Sequence, residues 1–275
     1  MQGKVCLVTG ATSGIGKEIA RGLSKLGVTV AIAGRSREKC ESAMQETKSA
    51  SYFVADLSSQ AEVRKLAEEF SSKYDRLDVL INNAGVFLAE RKLTVDGIEC
   101  TLAVNHLAPF LLTNLLIDKL KASAPSRIVT TSSMAHKGGH LDLDDMQFEK
   151  RRYSGIYAYS QSKLANILFT RELARQLAGT QVTANCFHPG AVRTDLVRGN
   201  SIYGLVWKAA GTFFVSPEKG ADTAVYLASS DQVAGMTGGY FVKRRQERSS
   251  DLSYGEETAK KLWKLSEKLT GLKPI

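Results

Sequence analysis

Tyr159-Ser-Gln-Ser-Lys163 sets a phenol and an ammonium four residues apart in a segment that reads as helix. On a helix those side chains share a face. A phenol titrates near ~10, so it exchanges a proton at neutral pH only where something stabilises the phenolate, and a nearby cation does so. Unit charges ~4 Å apart at an effective dielectric of ~20 attract by about 4 kcal/mol, an upper bound of roughly three pKa units. The expectation is an amine-assisted phenol that trades a proton with an alcohol or carbonyl oxygen. The neighbouring Tyr157 has Gln161 four residues on and lacks the charge. The spacing alone equally describes a pair on a solvated helix face, so the reading depends on a cofactor site and a partner hydroxyl elsewhere.

Near the start of the chain, Val5-Cys-Leu-Val-Thr9 is a continuous apolar run of β-formers, as for a strand buried on both faces of a parallel sheet. Gly10-Ala-Thr-Ser-Gly14-Ile-Gly16 follows and leads into a helical pattern at Ile19, Leu23 and Leu26. Gly10 permits the tight turn, Gly14 lets the backbone approach a phosphate, and Gly16 lets the helix pack against the strand. With Thr12, Ser13 and Ile15 in the same turn, the helix N-terminus offers free N–H groups to a pyrophosphate.

The second strand, Val28 to Ala33, ends at Gly34-Arg35-Ser36-Arg37. A free ribose 2′-hydroxyl is usually held there by Asp or Glu. Gly34 with Arg35 suits a 2′-phosphate instead, so the expected cofactor is NADP(H) rather than NAD(H), with Thr12 and Ser13 as further donors. After a helix over 37–49, the strand Tyr52 to Ala55 ends in Asp56-Leu57, where Asp56 either accepts from an adenine amino group while Leu57 packs on the ring, or caps the next helix. That helix, 59–74, leads to Leu77 to Ile81 and then Asn82-Asn83-Ala84-Gly85, small residues and amides suited to a turn beside a cofactor. Ile98 to Leu107 reads as a helix carrying Asn105, Pro109 to Leu120 as another, and Arg127 to Thr131 as the fifth strand. Recurrent β then α predicts a doubly wound parallel sheet with ligands at the strand carboxyl ends. Gly10, Arg35, Asp56, Asn83 and Ser132-Ser133 all fall there.

Taken in order, Thr9-Gly-x-x-x-Gly-Ile-Gly16, Asn82-Asn-Ala-Gly85, Asn105, Ser132-Ser133 and Tyr159-x-x-x-Lys163 resemble the short-chain dehydrogenase/reductase family over nearly the whole chain. Val104 to Leu112, Val129 to His136, Tyr159 to Asn166, His188-Pro-Gly190 and Leu262-Trp263 are most similar to its retinol dehydrogenase branch. The resemblance implies a Rossmann-type single domain over 1–275 that interconverts an alcohol and an aldehyde or ketone. Tyr159 would be the general acid for reduction, and Lys163 would lower its pKa and hold the nicotinamide ribose. Ser133, with Ser132 as the alternative, would hydrogen-bond the substrate oxygen. Asn105 would position a water and a backbone carbonyl for a proton relay from Lys163. Pro189, Gly190, Val192 and Thr194 would wrap the nicotinamide, and His188 is read as a loop residue.

Ser201 to Val215 is unusually apolar for a connection and is read as part of a lid over about 195–216, with an interface or a membrane face as the alternatives. With Val86, Phe87 and Met134 it suggests a lipophilic substrate. The segment between Ser133 and Tyr159 should wall the cleft, and an amphipathic helix over about 255–270 should close the chain as an extension.

The formal net charge of +9 is spread along the chain without interleaved aromatics, so solvated surface is expected rather than nucleic-acid binding. No apolar run reaches the roughly 18 residues of a membrane span, though peripheral membrane contact stays open. The four cysteines lack metal-ligand spacing, so no metal is expected. With no secretory signal or membrane anchor read ahead of the first strand, a cytoplasmic monomer or homodimer is expected.

Overall fold

In the computed structural model, which describes residues 1–191 and 215–272, one eight-stranded sheet runs in the order β3-β2-β1-β4-β5-β6-β7-β8. The strands are β1 (Val5–Thr9), β2 (Thr29–Gly34), β3 (Ser51–Val54), β4 (Val79–Asn82), β5 (Ser126–Thr131), β6 (Val182–His188), β7 (Tyr240–Val242) and β8 (Arg245–Gln246). All pair in parallel except β7 with β8. The chain steps outward from β1 to β3, then returns to place β4 on the other side of β1. That reversal opens a crevice between the loops after β1 and β4, where doubly wound sheets bind ligands.

Apolar residues on both faces of the central strands require a helical layer on each side. On one face α1 (Gly14–Lys25), α2 (Arg37–Thr47) and α8 (Pro217–Ser229) bury Ile19, Leu23, Ala43, Ala224 and Leu227 against Val8, Ile32 and Ile81. On the other, α3 (Gln60–Lys73), α5 (Ala108–Leu115) and α7 (Gly155–Gln176) bury Leu66, Phe70, Phe110, Leu111 and Phe169 against Leu7, Leu80 and Ile128. The amphipathic closing helix α9 (Glu256–Thr270) lays Leu262 and Trp263 onto this second layer. Trp263 stacks on Phe169 at 5.8 Å and meets Phe110 edge-on at 4.8 Å.

The structure departs from the sequence expectations at Asn105 and at His188. Ile98 to Leu107 is not a single α-helix: α4 (Cys100–Leu102) passes into a π-turn, Ala103–Leu107, before α5 and α6 (Ile117–Ala122). Pro109 has no N–H to give the Asn105 carbonyl four residues back. The Asn166 side chain fills that place at 2.9 Å, a side chain entering the backbone ladder. His188 ends β6 instead of lying in a loop, and the antiparallel β8 had no counterpart in the sequence reading. The expected lid lies outside the described residues except for Val215 and Ser216, as do Val192 and Thr194.

Candidate active site

The loop after β1 is shaped for close approach. Gly10 has φ +65°, and a Cβ there would lie 2.7 Å from Ala84 Cα, while one on Gly16 would collide with the Gly10 carbonyl. Gly14 is also left-handed, at φ +53°. Ser13 precedes α1 without capping it through its side chain, so the N–H groups of the first turn, around Ile15, stay open to an anion. Asn83 ties the two loops of the crevice together: its Nδ2 donates to the carbonyls of Thr9 and Gly10 at 3.0 and 3.3 Å, and the Asn83 and Ala84 N–H groups both donate to Thr9 Oγ1. Asn83 therefore holds the crevice in shape.

At the end of β2, a Cβ on Gly34 would strike the Thr12 methyl and lie 3.0 Å from Cys40 Sγ. Packing thus explains why no carboxylate stands at 34. Arg35 is exposed and has no ion-pair or hydrogen-bond partner among the described residues, leaving its guanidinium free for a phosphate. Ser36 is committed as the cap of α2, accepting from the Lys39 N–H at 3.4 Å. Asp56 accepts from the Ser58 N–H at 3.0 Å, whereas Ser59 caps α3; Leu57 packs half-buried against the core. An uncapped helix N-terminus and glycines where a Cβ would collide fit the pyrophosphate of a dinucleotide.

At the other side of the crevice, α7 brings Tyr159 and Lys163 onto one face, with Nζ 5.3 Å from the tyrosine ring centroid. Lys163 is 2% exposed and its Nζ donates to the Thr131 carbonyl at 3.3 Å, which ties α7 to the end of β5. The two adjacent serines divide their roles. Ser132 donates to the Lys163 carbonyl at 2.8 Å and is buried, so its hydroxyl is spent inside the fold. Ser133 accepts from the Ala135 N–H at 3.2 Å, and its hydroxyl acts on the Tyr159 phenol, lowering its pKa against burial. Of the pair, Ser133 faces the phenol.

The ionisation of the pair departs from expectation. Burial pushes the Tyr159 phenol up to about 12, with the Ser133 hydrogen bond acting the other way, and pushes the Lys163 amine down to about 8. Loss of water, the first cause acting on both groups, sets the direction of each shift. Phe87 meets the Tyr159 ring edge-on at 5.8 Å, and Met134 is exposed beside Ser133.

Asn105 holds the same wall. Its Oδ1 accepts from the Val86 N–H at 2.7 Å, and its Nδ2 donates to the Val86 carbonyl and to Ser162 Oγ at 2.9 and 3.0 Å. A Cβ on Gly85 would lie 3.3 Å from Asn105 Oδ1 and 3.5 Å from Lys163 Nζ, so glycine there leaves room beside the amine. The expected relay carbonyl is engaged by Asn166, which also donates to the Thr131 carbonyl at 3.2 Å. Sequence reading missed Asn166, although it lies three residues beyond Lys163. It also missed His136 and His188, which contact the Ser133 turn. Pro189 and Gly190 follow β6, Gly190 with φ +90°.

The family model for short chain dehydrogenases matches residues 4–201. Retinol dehydrogenase 13 of Homo sapiens is 43% identical over 282 residues, covering 98% of this chain and 85% of that protein. Retinol dehydrogenase 12 of Homo sapiens is 44% identical over 279 residues, covering 99% and 88%. Among solved structures, an uncharacterized protein from Mycobacterium Paratuberculosis superposes with a TM-score of 0.83 at 36% identity, covering 100% of this chain and 96% of that one. The RhlG/NADP active-site complex of Pseudomonas aeruginosa gives 0.71 at 29% identity, covering 88% and 94%.

Proposed function

This chain belongs to the short-chain dehydrogenase family, in its retinol dehydrogenase-like branch, and is an oxidoreductase of alcohols and carbonyls using a nicotinamide cofactor; within that class we propose that it reduces lipophilic, retinal-like aldehydes or ketones with NADPH. The observation that carries the reading is the triad of Ser133, Tyr159 and Lys163, with a hydroxyl facing a phenol and an amine beside the ring, at the mouth of a dinucleotide-shaped crevice. The free guanidinium of Arg35 next to Gly34 supports NADP(H) over NAD(H). A solved relative bound to NADP is consistent with it. Apolar Val86, Phe87 and Met134 at the triad, together with the retinol dehydrogenase relatives, support a lipophilic substrate.

The cofactor, when bound, supplies the hydride and the protein supplies orientation and the proton. The Gly10 to Gly16 turn would hold the pyrophosphate, Arg35 the 2′-phosphate, Asp56 and Leu57 the adenine, Ala84, Gly85, Pro189 and Gly190 the nicotinamide half, and Lys163 the ribose hydroxyls. The Ala135 N–H bond uses only a lone pair of Ser133 Oγ, so the hydroxyl hydrogen can turn from the Tyr159 phenol to a substrate oxygen. Tyr159, protonated throughout the neutral range, donates its proton to that oxygen as negative charge develops there. Asn105 keeps Val86 and the adjoining wall fixed. In the reverse direction Tyr159 must first release its proton to solvent, and the phenolate then takes the alcohol proton. Substrate reaches the site from water or from a membrane surface; among the described residues no helix is long and apolar enough to cross a membrane.

The test is consumption of NADPH against retinal, medium-chain aldehydes, and aromatic and steroid ketones. Turnover of an apolar carbonyl with NADPH preferred over NADH is expected. Tight NADPH binding with no turnover of any of them would leave a nucleotide-binding protein instead.

A further inference from the structure

The peptide unit that joins Ser133 to Met134 is held at both of its polar ends by a different buried histidine. Its carbonyl accepts from His136 Nδ1 at 2.6 Å, and its N–H donates to His188 Nδ1 at 3.3 Å. The two rings come from separate elements: His136 from the turn after β5, completely buried, and His188 from the end of β6, 9% exposed. His136 is fixed in turn by the Ser250 N–H, which donates to its Nε2 at 3.0 Å, and by the Tyr240 ring of β7, edge-on at 4.9 Å.

These partners assign the tautomers. A backbone N–H can only donate, so His136 Nε2 carries no proton and Nδ1 carries it; His188 Nδ1 carries none, so its proton is on Nε2. Both rings must be neutral. A second proton on either would set an N–H against an N–H. The groups facing His136 favour the neutral form: Lys137 on its own turn and Arg171 of α7 are cationic, while Tyr240 is neutral, and His188 lies alongside.

We propose that His136 and His188 are positioning residues: by fixing the Ser133–Met134 peptide from both sides they aim the Ser133 hydroxyl at the reacting oxygen. Rotation of that peptide is rotation about the Ser133 Cα–C bond, so a loose peptide swings the backbone that carries Oγ. Ser133 is extended, at φ −158° and ψ 156°, and the turn restrains it through the Ala135 bond at 3.2 Å and the His136 N–H, which donates to the Ser133 carbonyl at 3.1 Å; the rings add to these. The tether from Ser250 lets the segment just before α9 bear on the same serine. The kinetic part of this inference rests on the proposed carbonyl reduction; the tautomers do not.

Nitrogen-15 NMR of the imidazoles reads the tautomers without turnover, in a chain with four histidines. At neutral pH one ring should be the Nδ1–H form and one the Nε2–H form, identified by their loss in His136→Gln and His188→Asn. A charged ring, or the opposite tautomers, would overturn the clamp even if the enzyme is inactive on every carbonyl tried. In kinetics, His188→Ala should lower kcat by between about 10- and 100-fold with the KM for NADPH within about twofold. His188→Asn, which returns an acceptor near the Nδ1 position, should recover most of the loss and remain active further into acid than the native protein. On a Ser133→Ala background, His188→Ala should cost little more. An equal loss on both backgrounds, or an Asn variant no better than Ala in a protein that melts and binds NADPH normally, would show that the ring serves the fold rather than the serine.

Discussion

Lys163 carries its amine 5.3 Å from the centre of the Tyr159 ring, one helical turn along α7, and the same burial pushes the two groups in opposite directions, the phenol up to about 12 and the amine down to about 8. The amine is charged below about 8 and loses its charge as pH rises through that value. If the charged form is the one that binds cofactor ribose and faces the phenol, kcat/KM should fall on the alkaline side with an apparent pKa near 8, because that ratio reports the free enzyme. Lys163→Arg keeps a charge at all accessible pH, so its profile should lose that limb even though its absolute rate is lower. An alkaline limb of unchanged position in the Arg variant would assign it to another group.

Tyr159→Phe removes one oxygen and leaves the ring, its edge contact with Phe87 and its place over Lys163. Reduction should drop by about 100- to 10,000-fold, the usual worth of a positioned acid, while NADPH affinity by fluorescence titration stays within a few-fold. Retained turnover would mean that another group supplies the proton.

Cofactor choice should follow Arg35. Arg35→Glu places a carboxylate where a 2′-phosphate would bind, so the KM for NADPH should rise by roughly 100-fold or more and the preference should turn toward NADH. Gly34→Asp is the less useful variant, because its Cβ would meet the Thr12 methyl and it should lose stability along with specificity. An Arg35→Glu enzyme with unaltered preference would remove Arg35 from the phosphate site.

Periodic and local signals carried well from sequence to structure. The buried run from Val5 to Thr9, the glycine turn after it and the Tyr159 to Lys163 spacing each specify their own geometry, and the recurrence of β then α specifies a parallel sheet. Interactions between distant residues were not readable in this way. Which of Ser132 and Ser133 faces the phenol depends on the Lys163 carbonyl, 31 residues on from Ser132. The π-turn at Asn105 needs both Pro109 and the Asn166 side chain. Spacing reveals the charge four residues from Tyr159 and says nothing of the burial that pushes the phenol up. His188 before Pro189 looked like loop because proline often ends strands, yet it is the last residue of β6.

Acid should unfold this protein partly through His106. The ring sits in the π-turn, 1% exposed, between Phe110 and Phe169, with Nε2 at 2.9 Å from Ser266 Oγ of α9 and Nδ1 at 3.4 Å from Asn166 Oδ1. Burial pushes its pKa down from 6.5 to about 4, with the Asn166 bond opposing. The unfolded chain therefore binds a proton that the folded chain refuses between those values. This contribution to stability is complete above about 6.5 and is lost progressively as pH falls toward 4, by roughly 3 kcal/mol in all. His188, also pushed to about 4, titrates over the same window, so the two losses overlap. His106→Gln can keep the Ser266 partner and has no proton to take up in this range. Its melting temperature should be lower than the native value at neutral pH and should fall less between about pH 7 and 4.5. If native and variant melting temperatures fall in parallel, the acid sensitivity lies elsewhere, and His188→Asn compared in the same way separates the second histidine from the first.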